Sequence, residues 1–399
     1  MARARSLPTT RKGPDDMNGS GLTQLWEEVL YGDDWSGPSR PGTPPLHQTS
    51  NFVFSTVAAM QEALKHEDKI PFYTRGANPT VSEVAQKIAA LEGMEAGLLF
   101  GSGSAAIAAA VLSQVEKGDQ ILSVINPYSW TTKLIRDFCG KFGVGSVFCD
   151  PQKLQASITE QTKVIYLESP NSWTFETHDI ARITQIARQK GIITILDNSY
   201  ATPLLQQGAP LQVDLVAHSA TKYLGGHSDV VAGVLCGSKQ LIADVFNGPY
   251  MTLGAALSPF DAWLLLRSLR TLPLRLSAIT ETANKIVDFL KDQEGIRKVY
   301  YPKPPILETT DHVPQTGLLS IDLNTSDLAA VERFCNGLKR FKLGPSWGSH
   351  ESLAFPAIAT MGSKNYNNPN VEISRVRLSV GLQSADYLIQ DLAQALKLL

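Results

Sequence analysis

The chain has 399 residues, 43% of them hydrophobic and 19% charged, a composition typical of an ordinary soluble globular protein with more than one core. Its formal net charge of −2 and the absence of an apolar run of about 20 residues give no reason to expect nucleic acid or a membrane as partner. The four cysteines are scattered without a CxxC pair or a cysteine–histidine cluster, which argues against a disulfide framework or a metal site and predicts a reducing, cytoplasmic location.

Residues 1–70 are predicted to form an N-terminal tail and arm. The first 20 residues are basic and polar without an apolar core, so they are predicted to be a disordered tail, with an organellar transit peptide as the alternative. Pro44 and Pro45 exclude helix in the Pro/Gly-rich link that follows. Farther along, Val57, Met60 and Leu64 at spacings of three and four predict a helix over residues 55–66.

The next segment contains a candidate anion site. A helix is predicted at Thr80–Leu91, with Thr80 as its capping residue. The strand Ala96–Phe100, the turn GSGS and the alanine-rich helix Ala105–Val115 follow it. A strand, a small-residue turn and a helix in this order direct backbone N–H groups and the positive helix end at an anion. The turn matches neither GxGxxG nor a phosphate loop ending in GKS or GKT, so an ordinary packing turn is the alternative.

From residue 121 onward strands alternate with helices. The apolar runs predict strands at Ile121–Ile125, Ser146–Cys149, Val164–Leu167 and Ile192–Leu196, and helices at Thr131–Phe142 and Asp179–Lys190. This order is typical of a mainly parallel sheet covered on both faces, which we place in a large domain over residues 71–256. Ligands bind at the carboxyl ends of such strands, where four polar side chains fall: Tyr128, Glu168, Asn171 and Asp197.

The remaining residues, 257–399, are predicted to form a smaller α+β domain. A long helical stretch, Leu257–Leu290, is interrupted near Pro273. Two apolar strands follow at Gly317–Leu323 and Val376–Val380, and two helices at Asp327–Leu338 and Ser384–Leu398.

The segment HSATKYLGGHSD, residues 218–229, carries the strongest chemical signal. Lys222 lies between two apolar, strand-like runs, which favours a cleft over a solvated face, and a partly desolvated amine can lose its proton and attack a carbonyl. The hydroxyls of Ser219 and Thr221 beside it could hold a phosphate. Upstream, Asp197 follows a buried strand; a helix cap or turn is the alternative interpretation of that carboxylate.

These residues meet the requirements of pyridoxal 5′-phosphate. The cofactor needs a lysine for its Schiff base, an acid on its pyridine nitrogen, an anion site and a flat group on its ring. Lys222, Asp197, the turn at 101–104 and Tyr128 could supply them. A nucleotide-binding dehydrogenase of similar α/β pattern is disfavoured because the chain has no GxGxxG turn.

Six motifs in order extend this pattern: YTRGANPT, GSGSAA, LESPNS, LDNSYATP, SATKYLGGHSD and SWGSHESL. Together they resemble the cysteine/methionine metabolism family of pyridoxal-phosphate enzymes, the trans-sulfuration family, over about residues 45–399. Within it the chain looks most like the bacterial cystathionine β-lyases. The resemblance implies a fold-type I, aspartate aminotransferase-like architecture, with a mostly parallel sheet in a large domain and a smaller C-terminal α+β domain. It also implies a homotetramer built from two catalytic dimers.

The resemblance implies a role for each residue of the cofactor site. Lys222 would bind the cofactor covalently and carry a proton between the α-carbon and the leaving group, and Asp197 would pair with the pyridine nitrogen. Tyr128 would stack on the ring and deprotonate the incoming amine, and Asn171 would lie near the ring oxygen. The phosphate would be held by Ser219, Thr221 and the backbone of Gly103 and Ser104, and by two residues of a neighbouring subunit, Tyr73 and Arg75.

On the substrate side, the resemblance implies that Arg377 clamps the α-carboxylate as a bidentate fork, with help from Ser346 and Trp347. For Arg377, a surface arginine on a strand is the alternative. The implied reaction is β-elimination from a sulfur amino acid, in which cystathionine gives homocysteine, pyruvate and ammonia. γ-Elimination or γ-replacement is the open alternative. A catalytically impaired, cofactor-binding regulatory relative is the alternative of another class.

Three positions depart from the pattern of the family. Ser104 stands where methionine is frequent, Trp130 stands where methionine γ-lyases carry a reactive cysteine, and Pro345 stands where γ-active enzymes often have a glutamate. Trp130 counts against methionine γ-lyase activity. Bacterial β-lyases often carry tyrosine at the position of Pro345, so the proline makes neither side-chain contact and leaves the contact to the distal substrate group open. His227 and His350 are interpreted as structural, and His350 is the better functional candidate because it follows the SWG segment.

Overall fold

The computed structural model describes residues 19–31, 38–39, 41–302, 314–364 and 371–399. Two compact units are present, residues 1–40 and residues 41–399. The first unit contains a helix at Gly19–Tyr31 (α1), which the sequence analysis did not predict. Of the predicted 20-residue tail, residues 1–18 lie outside the described residues, and for residues 19 and 20 the prediction was wrong, because they begin α1.

Two helices precede the first sheet. The predicted helix at 55–66 is α2, Val57–Lys65, and the next is α3, Pro79–Leu91. The predicted cap of α3 was wrong: Asn78 is the capping residue, and its side chain accepts the N–H of Thr80 at 3.0 Å. Pro79 occupies the first helical position, where its missing N–H removes no intrahelical bond.

The first sheet of the 41–399 unit has seven strands: β1 Ala96–Phe100, β2 Gln120–Val124, β3 Gly145–Cys149, β4 Thr162–Glu168, β5 Ile193–Asp197, β6 Leu215–Ser219 and β7 Gly233–Gly237. Their order is β1-β7-β6-β5-β4-β2-β3. Strands β2 to β6 run parallel to one another, whereas β7 and β1 form an antiparallel edge. The sheet is therefore mostly parallel, as predicted.

Both faces of this sheet are covered. The four consecutive residues Val164 to Leu167 of β4 are all fully buried, although neighbouring side chains of a strand point to opposite faces. The helices of this region are α4 Gly103–Leu112, α5 Ser129–Thr132, α6 Leu154–Ser157, α7 Ile180–Gln189, α8 Thr202–Leu205, α9 Lys239–Val245 and α10 Met251–Leu253. The α-helix predicted at Thr131–Phe142 was wrong in type, because a π-helical turn at Lys133–Phe138 and a 3₁₀ turn at Cys139–Phe142 follow α5.

A second sheet lies in the C-terminal part of the same unit. Its strands are β8 Ile296–Tyr300, β9 Leu318–Leu323, β10 Lys342–Leu343, β11 Leu353–Pro356 and β12 Arg375–Ser379, in the order β10-β11-β12-β9-β8. The long helical stretch is two helices, α11 Pro259–Leu269 and α12 Leu272–Lys291, and Pro273 lies in the first turn of α12. Two more helices, α13 Leu328–Gly337 and α14 Ala385–Leu396, also pack in this region. The domain boundaries at 70/71 and 256/257 stay predictions.

The sheet order brings four chain segments to one edge. Strands β2, β4, β5 and β6 are parallel neighbours, so the polar residues that follow them come together at their carboxyl ends.

Within the described ranges, no helix combines the length and apolarity needed to cross a membrane. The same residues contain no group of three His, Cys, Asp or Glu side chains that could hold a metal ion.

Candidate active site

Lys222 lies just beyond the end of β6, in the loop that leads to β7. Its side chain is largely buried, and its amine donates a hydrogen bond of 2.9 Å to Oγ of Ser346. The amine also lies 5.3 Å from the centroid of the Trp347 ring. Burial and the positive charge of Arg377 lower the pKa of Lys222 to about 8, while Asp197 opposes this shift. Such an amine can act as a nucleophile and as a base near neutral pH.

The loop of Lys222 is held on two sides. Gly348, with a φ of +84°, stands so close that an added Cβ would lie 2.9 Å from the Tyr223 nitrogen and 3.2 Å from Cα of Lys222. Elsewhere on the same loop, the buried guanidinium of Arg275 donates to the Tyr223 carbonyl at 2.9 Å. Because backbone packs on backbone at Gly348, the SWG segment and the lysine keep a fixed spacing.

Glu351 joins the same two loops through side chains. Its carboxylate accepts a hydrogen bond from the hydroxyl of Ser228, which also lies 2.8 Å from Oγ of Ser349. The exposed imidazole of His350 lies 3.1 Å from the other oxygen of Glu351. His227 bonds through Nδ1 to the carbonyl of Gly225 at 2.8 Å. Both histidines therefore have contacts within the protein, and their interpretation as structural residues stays a prediction.

Asp197 and Glu168 end neighbouring parallel strands, where they are register partners. Both carboxyls are buried, and Oδ1 of Asp197 accepts hydrogen bonds from the N–H and the hydroxyl of Ser199, at 3.0 and 2.5 Å. Burial raises the pKa of both carboxyls, and the charge of Asp197 raises that of Glu168 further. Two buried carboxyls so close do not ionise independently. A cationic group bound beside Asp197 would favour the charged form of the Asp197 carboxyl.

Glu168 also fixes the position of Tyr128. Its Oε2 accepts the backbone N–H of Tyr128 at 2.7 Å, and the tyrosine, 39% exposed, directly precedes α5. Sequence reasoning placed Glu168 at a strand end and gave it no role. A role for Glu168 could have been inferred from the position of its charge, directly after the apolar run of β4.

A second buried network lies behind Asp197. Nε2 of His218 is 2.6 Å from Oε1 of Glu92, and Asn198 donates to the same carboxylate at 2.8 Å. Burial raises the pKa of Asp197, whereas the hydrogen bonds of Ser199 and the charge of His218 lower it. The sequence analysis did not predict this pair, whose members lie 126 positions apart.

The predicted anion turn begins α4. Ser102 caps this helix by accepting the N–H of Ala105 at 3.1 Å, and the helix starts at Gly103. A Cβ on Gly103 would lie 2.7 Å from that of Ser219, so the close approach of this turn to the end of β6 requires glycine. The first N–H groups of a helix have no partner within it, and beside Ser219 they form a donor set that fits a phosphate.

Two predicted cofactor contacts have partners within the protein. The hydroxyl of Thr221 accepts the N–H of Ala232 at 3.0 Å and donates to its carbonyl at 3.2 Å. The buried side chain of Asn171 accepts the N–H groups of Trp173 and Thr174 and donates to the hydroxyl of Thr174 at 2.7 Å. Asn171 thus shapes the loop after β4, and its contact to the ring oxygen stays a prediction.

Arg377 enters the site from β12 of the second sheet. It is buried, and it donates to the carbonyl oxygens of Pro345 at 2.7 Å and of Ser172 at 3.5 Å. Its guanidinium carbon lies 4.9 Å from the ring centroid of Trp173 and 5.2 Å from that of Phe355. The surface-arginine alternative was therefore wrong, because a strand in the middle of the second sheet holds this side chain inside.

Tyr73 and Arg75 lie in the loop before α3. Both are exposed, and the guanidinium carbon of Arg75 lies 5.5 Å from the centroid of the Tyr73 ring. Their predicted contact with the phosphate of a neighbouring subunit stays a prediction. Lys222, Asp197, Tyr128 and the turn at Gly103 lie at or beyond the strand ends of the first sheet. Together they offer an amine, an acid, a tyrosine and an anion cradle, a donor set that fits pyridoxal phosphate, and their individual roles stay predictions.

Comparison with known proteins agrees with this site. A family model described as Cys/Met metabolism PLP-dependent enzyme matches residues 35–397. An L-methionine γ-lyase of Pseudomonas putida is 37% identical, with 89% of this chain and 92% of that protein covered. A cystathionine β-lyase of Lactococcus lactis is 36% identical, with 94% and 100% covered. A solved structure from Campylobacter jejuni, containing N′-pyridoxyl-lysine-5′-monophosphate, matches with a TM-score of 0.85 and 27% identity over 96% of this chain and all of that one.

Proposed function

Since the chain belongs to the family of Cys/Met metabolism PLP-dependent enzymes, we propose that it cleaves the β-carbon–sulfur bond of a sulfur amino acid. The proposed substrate is cystathionine, and the products are homocysteine, pyruvate and ammonia. Bound pyridoxal phosphate supplies the electron sink that allows the α-proton of an amino acid to leave. The protein's own residues bind the substrate, orient it and move its protons.

Membership of the family confirms several predictions at once. The resemblance, the fold-type I architecture and the cofactor are confirmed. The chain is a pyridoxal-phosphate-dependent carbon–sulfur lyase or synthase that acts on an amino acid. The bond that it breaks belongs to the proposal.

We assign the cofactor contacts as the sequence predicted them. Lys222 would hold the cofactor covalently, Asp197 would bond its ring nitrogen, and Tyr128 would cover its ring, with Asn171 near the ring oxygen. The phosphate would be held by the start of α4 and the loop after β6, through Gly103, Ser104, Ser219 and Thr221.

One observation carries the proposal: the amine of Lys222 and the guanidinium of Arg377 meet at one site although they come from different sheets. The amine donates to Oγ of Ser346 at 2.9 Å, and the guanidinium donates to the carbonyl of the adjacent Pro345 at 2.7 Å. An amino acid whose carboxylate binds Arg377 would place its α-proton within reach of a neutral amine. Lys222 would remove that proton and then return it toward the departing thiolate, while Ser346 and Trp347 fix the direction of the amine.

The choice of β- over γ-elimination rests on the segment SWGSHESL, which looks most like that of the bacterial β-lyases, and on Trp130, which stands where methionine γ-lyases carry a reactive cysteine. Pro345 does not discriminate, because cystathionine presents a distal amino group to either reaction and proline offers it no side-chain acceptor. The carbonyl of Pro345 accepts a hydrogen bond from Arg377. γ-Elimination or γ-replacement is the second candidate, favoured by the 37% identity to a methionine γ-lyase.

We also propose that the active enzyme is a homotetramer of two catalytic dimers and works in the cytoplasm. The exposed side chains of Tyr73 and Arg75 would then reach the phosphate site of the neighbouring subunit. Removing either side chain should weaken cofactor binding without changing the fold of the protomer.

Product analysis tests the reaction. The cofactor-loaded enzyme is given cystathionine, cysteine, methionine and an O-acylhomoserine in turn, and both keto acids are measured. Pyruvate with homocysteine from cystathionine supports β-elimination, and 2-oxobutyrate with cysteine identifies γ-elimination. Normal cofactor loading without turnover of any of the four would instead favour the regulatory alternative.

Lys222→Ala tests the role of the lysine. We expect loss of turnover by at least about 1000-fold and loss of the visible absorbance band of the lysine-bound cofactor, because alanine has no amine to form the bond to the cofactor. Lys285→Ala, which changes an exposed lysine on α12, serves as the matched control. An unchanged spectrum in the Lys222 variant would remove this lysine from the proposal.

A further inference from the structure

We propose that Trp173 and Phe355 are positioning residues whose neighbouring rings both lie against the guanidinium of Arg377 and so set the selectivity of the site for substrates with a free α-carboxylate. The two rings are named the aromatic bracket. This inference rests on the proposed function, in which Arg377 binds the carboxylate. It goes further by assigning the orientation of Arg377 to two residues that have no role in the proposed chemistry.

The bracket is defined by three distances. The guanidinium carbon of Arg377 lies 4.9 Å from the centroid of Trp173 and 5.2 Å from that of Phe355. The two ring centroids lie 5.4 Å apart with an angle of 44° between their planes. Both guanidinium distances are within the roughly 6 Å over which a cation is attracted to an aromatic face.

The two rings come from separate parts of the fold. Trp173 lies in the loop after β4, where its backbone N–H donates to the buried side chain of Asn171 at 3.0 Å. Phe355 lies on β11 as the direct register partner of Arg377 on β12. The first ring is therefore anchored in the cofactor half of the site, and the second is anchored in the sheet that carries the arginine.

The polar contacts of Arg377 cooperate with the rings. Its Nη2 and Nη1 donate to the carbonyl oxygens of Pro345 and Ser172, which belong to the two loops that flank the site. Carbonyl oxygens fix the plane of a guanidinium without cancelling its charge. The cation–π attraction of the two rings adds to these hydrogen bonds in fixing the guanidinium, whose planar fork suits a bidentate bond to a carboxylate.

Kinetics of bracket variants test this assignment. We expect Trp173→Ala and Phe355→Ala each to raise KM for L-cystathionine about 10-fold, with kcat within about 2-fold, because a cation–π contact is lost and the proton transfer at Lys222 is untouched. Trp173→Phe should keep KM within about 3-fold of the unchanged enzyme. Trp173→Leu, of similar bulk without an aromatic face, should behave like the alanine variant.

Ligand binding adds a measurement that is independent of turnover. Glycine carries a carboxylate and methylamine does not, and the binding of each to the cofactor-loaded enzyme is followed by the absorbance of the cofactor. We expect the bracket variants to weaken glycine about 10-fold and to leave methylamine within about 2-fold. Equal weakening of both ligands, a fall in kcat with KM unchanged, or full recovery in the leucine variant would each overturn the proposal.

Two further variants separate this inference from the proposed function. Tyr387→Ala removes a ring that lies 3.7 Å from the exposed guanidinium of Arg340, so it is a matched loss of an arginine–aromatic contact outside the site, and it should leave KM unchanged. Arg377→Ala should weaken glycine more than any bracket variant. If it does not, the role of Arg377 in the proposed function fails; if only the bracket variants have no effect, the bracket alone fails.

Discussion

Two arginines on β12 show how one strand serves two purposes. Arg375 and Arg377 are two positions apart on the same face of the strand, and both are buried. Across the neighbouring strand β9, Arg375 is paired with Asp322, whereas Arg377 is paired with Ser320. Arg375 therefore stands opposite a carboxylate, whereas Arg377 stands opposite a neutral hydroxyl.

The contacts of the two arginines follow from this difference. Arg375 bonds Asp322 through two nitrogens, at 2.7 and 3.0 Å, and its guanidinium carbon lies 3.8 Å from the centroid of Tyr300. Arg377 donates to backbone carbonyls that leave its positive charge in place. A buried arginine paired with a protein carboxylate stabilises the sheet, whereas Arg377, whose donors bond carbonyl oxygens, is suited to a carboxylate that arrives with a ligand.

Removing the charge of Asp322 should give the largest effect on this comparison. In Asp322→Asn the buried guanidinium of Arg375 loses its counter-charge, and we expect the free energy of unfolding to fall by about 3–5 kcal/mol. Denaturant unfolding followed by circular dichroism measures this loss. Asp288→Asn, which breaks an exposed pair with Lys291, should change it by less than about 1 kcal/mol. A loss of less than about 1 kcal/mol in Asp322→Asn would show that the pair of Arg375 and Asp322 does not stabilise the fold.

Placing a carboxylate opposite Arg377 should convert the second arginine into a copy of the first. In Ser320→Asp the new side chain lies on β9, directly opposite Arg377 on β12, and competes with the substrate carboxylate. We expect KM for the amino acid substrate to rise about 30- to 100-fold, the worth of a charged hydrogen bond, with kcat at saturation little changed. Steady-state kinetics on cystathionine measures both constants. Ser320→Ala, without the charge, should leave KM near its original value, and an equal rise there would contradict the charge argument.

The cofactor half of the site was predictable because its signals are local. Lys222 and Asp197 each follow an apolar run, and such a run ends in the sheet at the edge where ligands bind. The alternation of strands and helices predicted the parallel sheet for the same reason. The π-helical turn at Lys133–Phe138 has no such local signal, because its apolar spacing is that of an ordinary helix.

The substrate half required more than local pattern. Arg377 was assigned through the family resemblance, and its contacts with Ser172 and Trp173 join positions about 205 residues apart. The bond of Glu168 to the N–H of Tyr128 likewise depends on β4 and β2 being neighbours. Such contacts are set by packing between distant segments, and periodicity within one segment carries no information about them.

The smallest expected effect concerns the charge that Arg377 exerts on Lys222. Burial and Arg377 both lower the pKa of this lysine to about 8, so its amine becomes neutral and reactive as the pH rises through that value. In Arg377→Gln one cause of the depression is removed, the charged amine is less disfavoured, and the pKa of Lys222 should rise. The rate at which the enzyme stripped of cofactor takes up pyridoxal phosphate, measured against pH, should show its midpoint shifted toward alkaline pH. A midpoint that stays in place or moves toward acid would mean that burial alone depresses the pKa of Lys222, and the two ends of the site would then act independently.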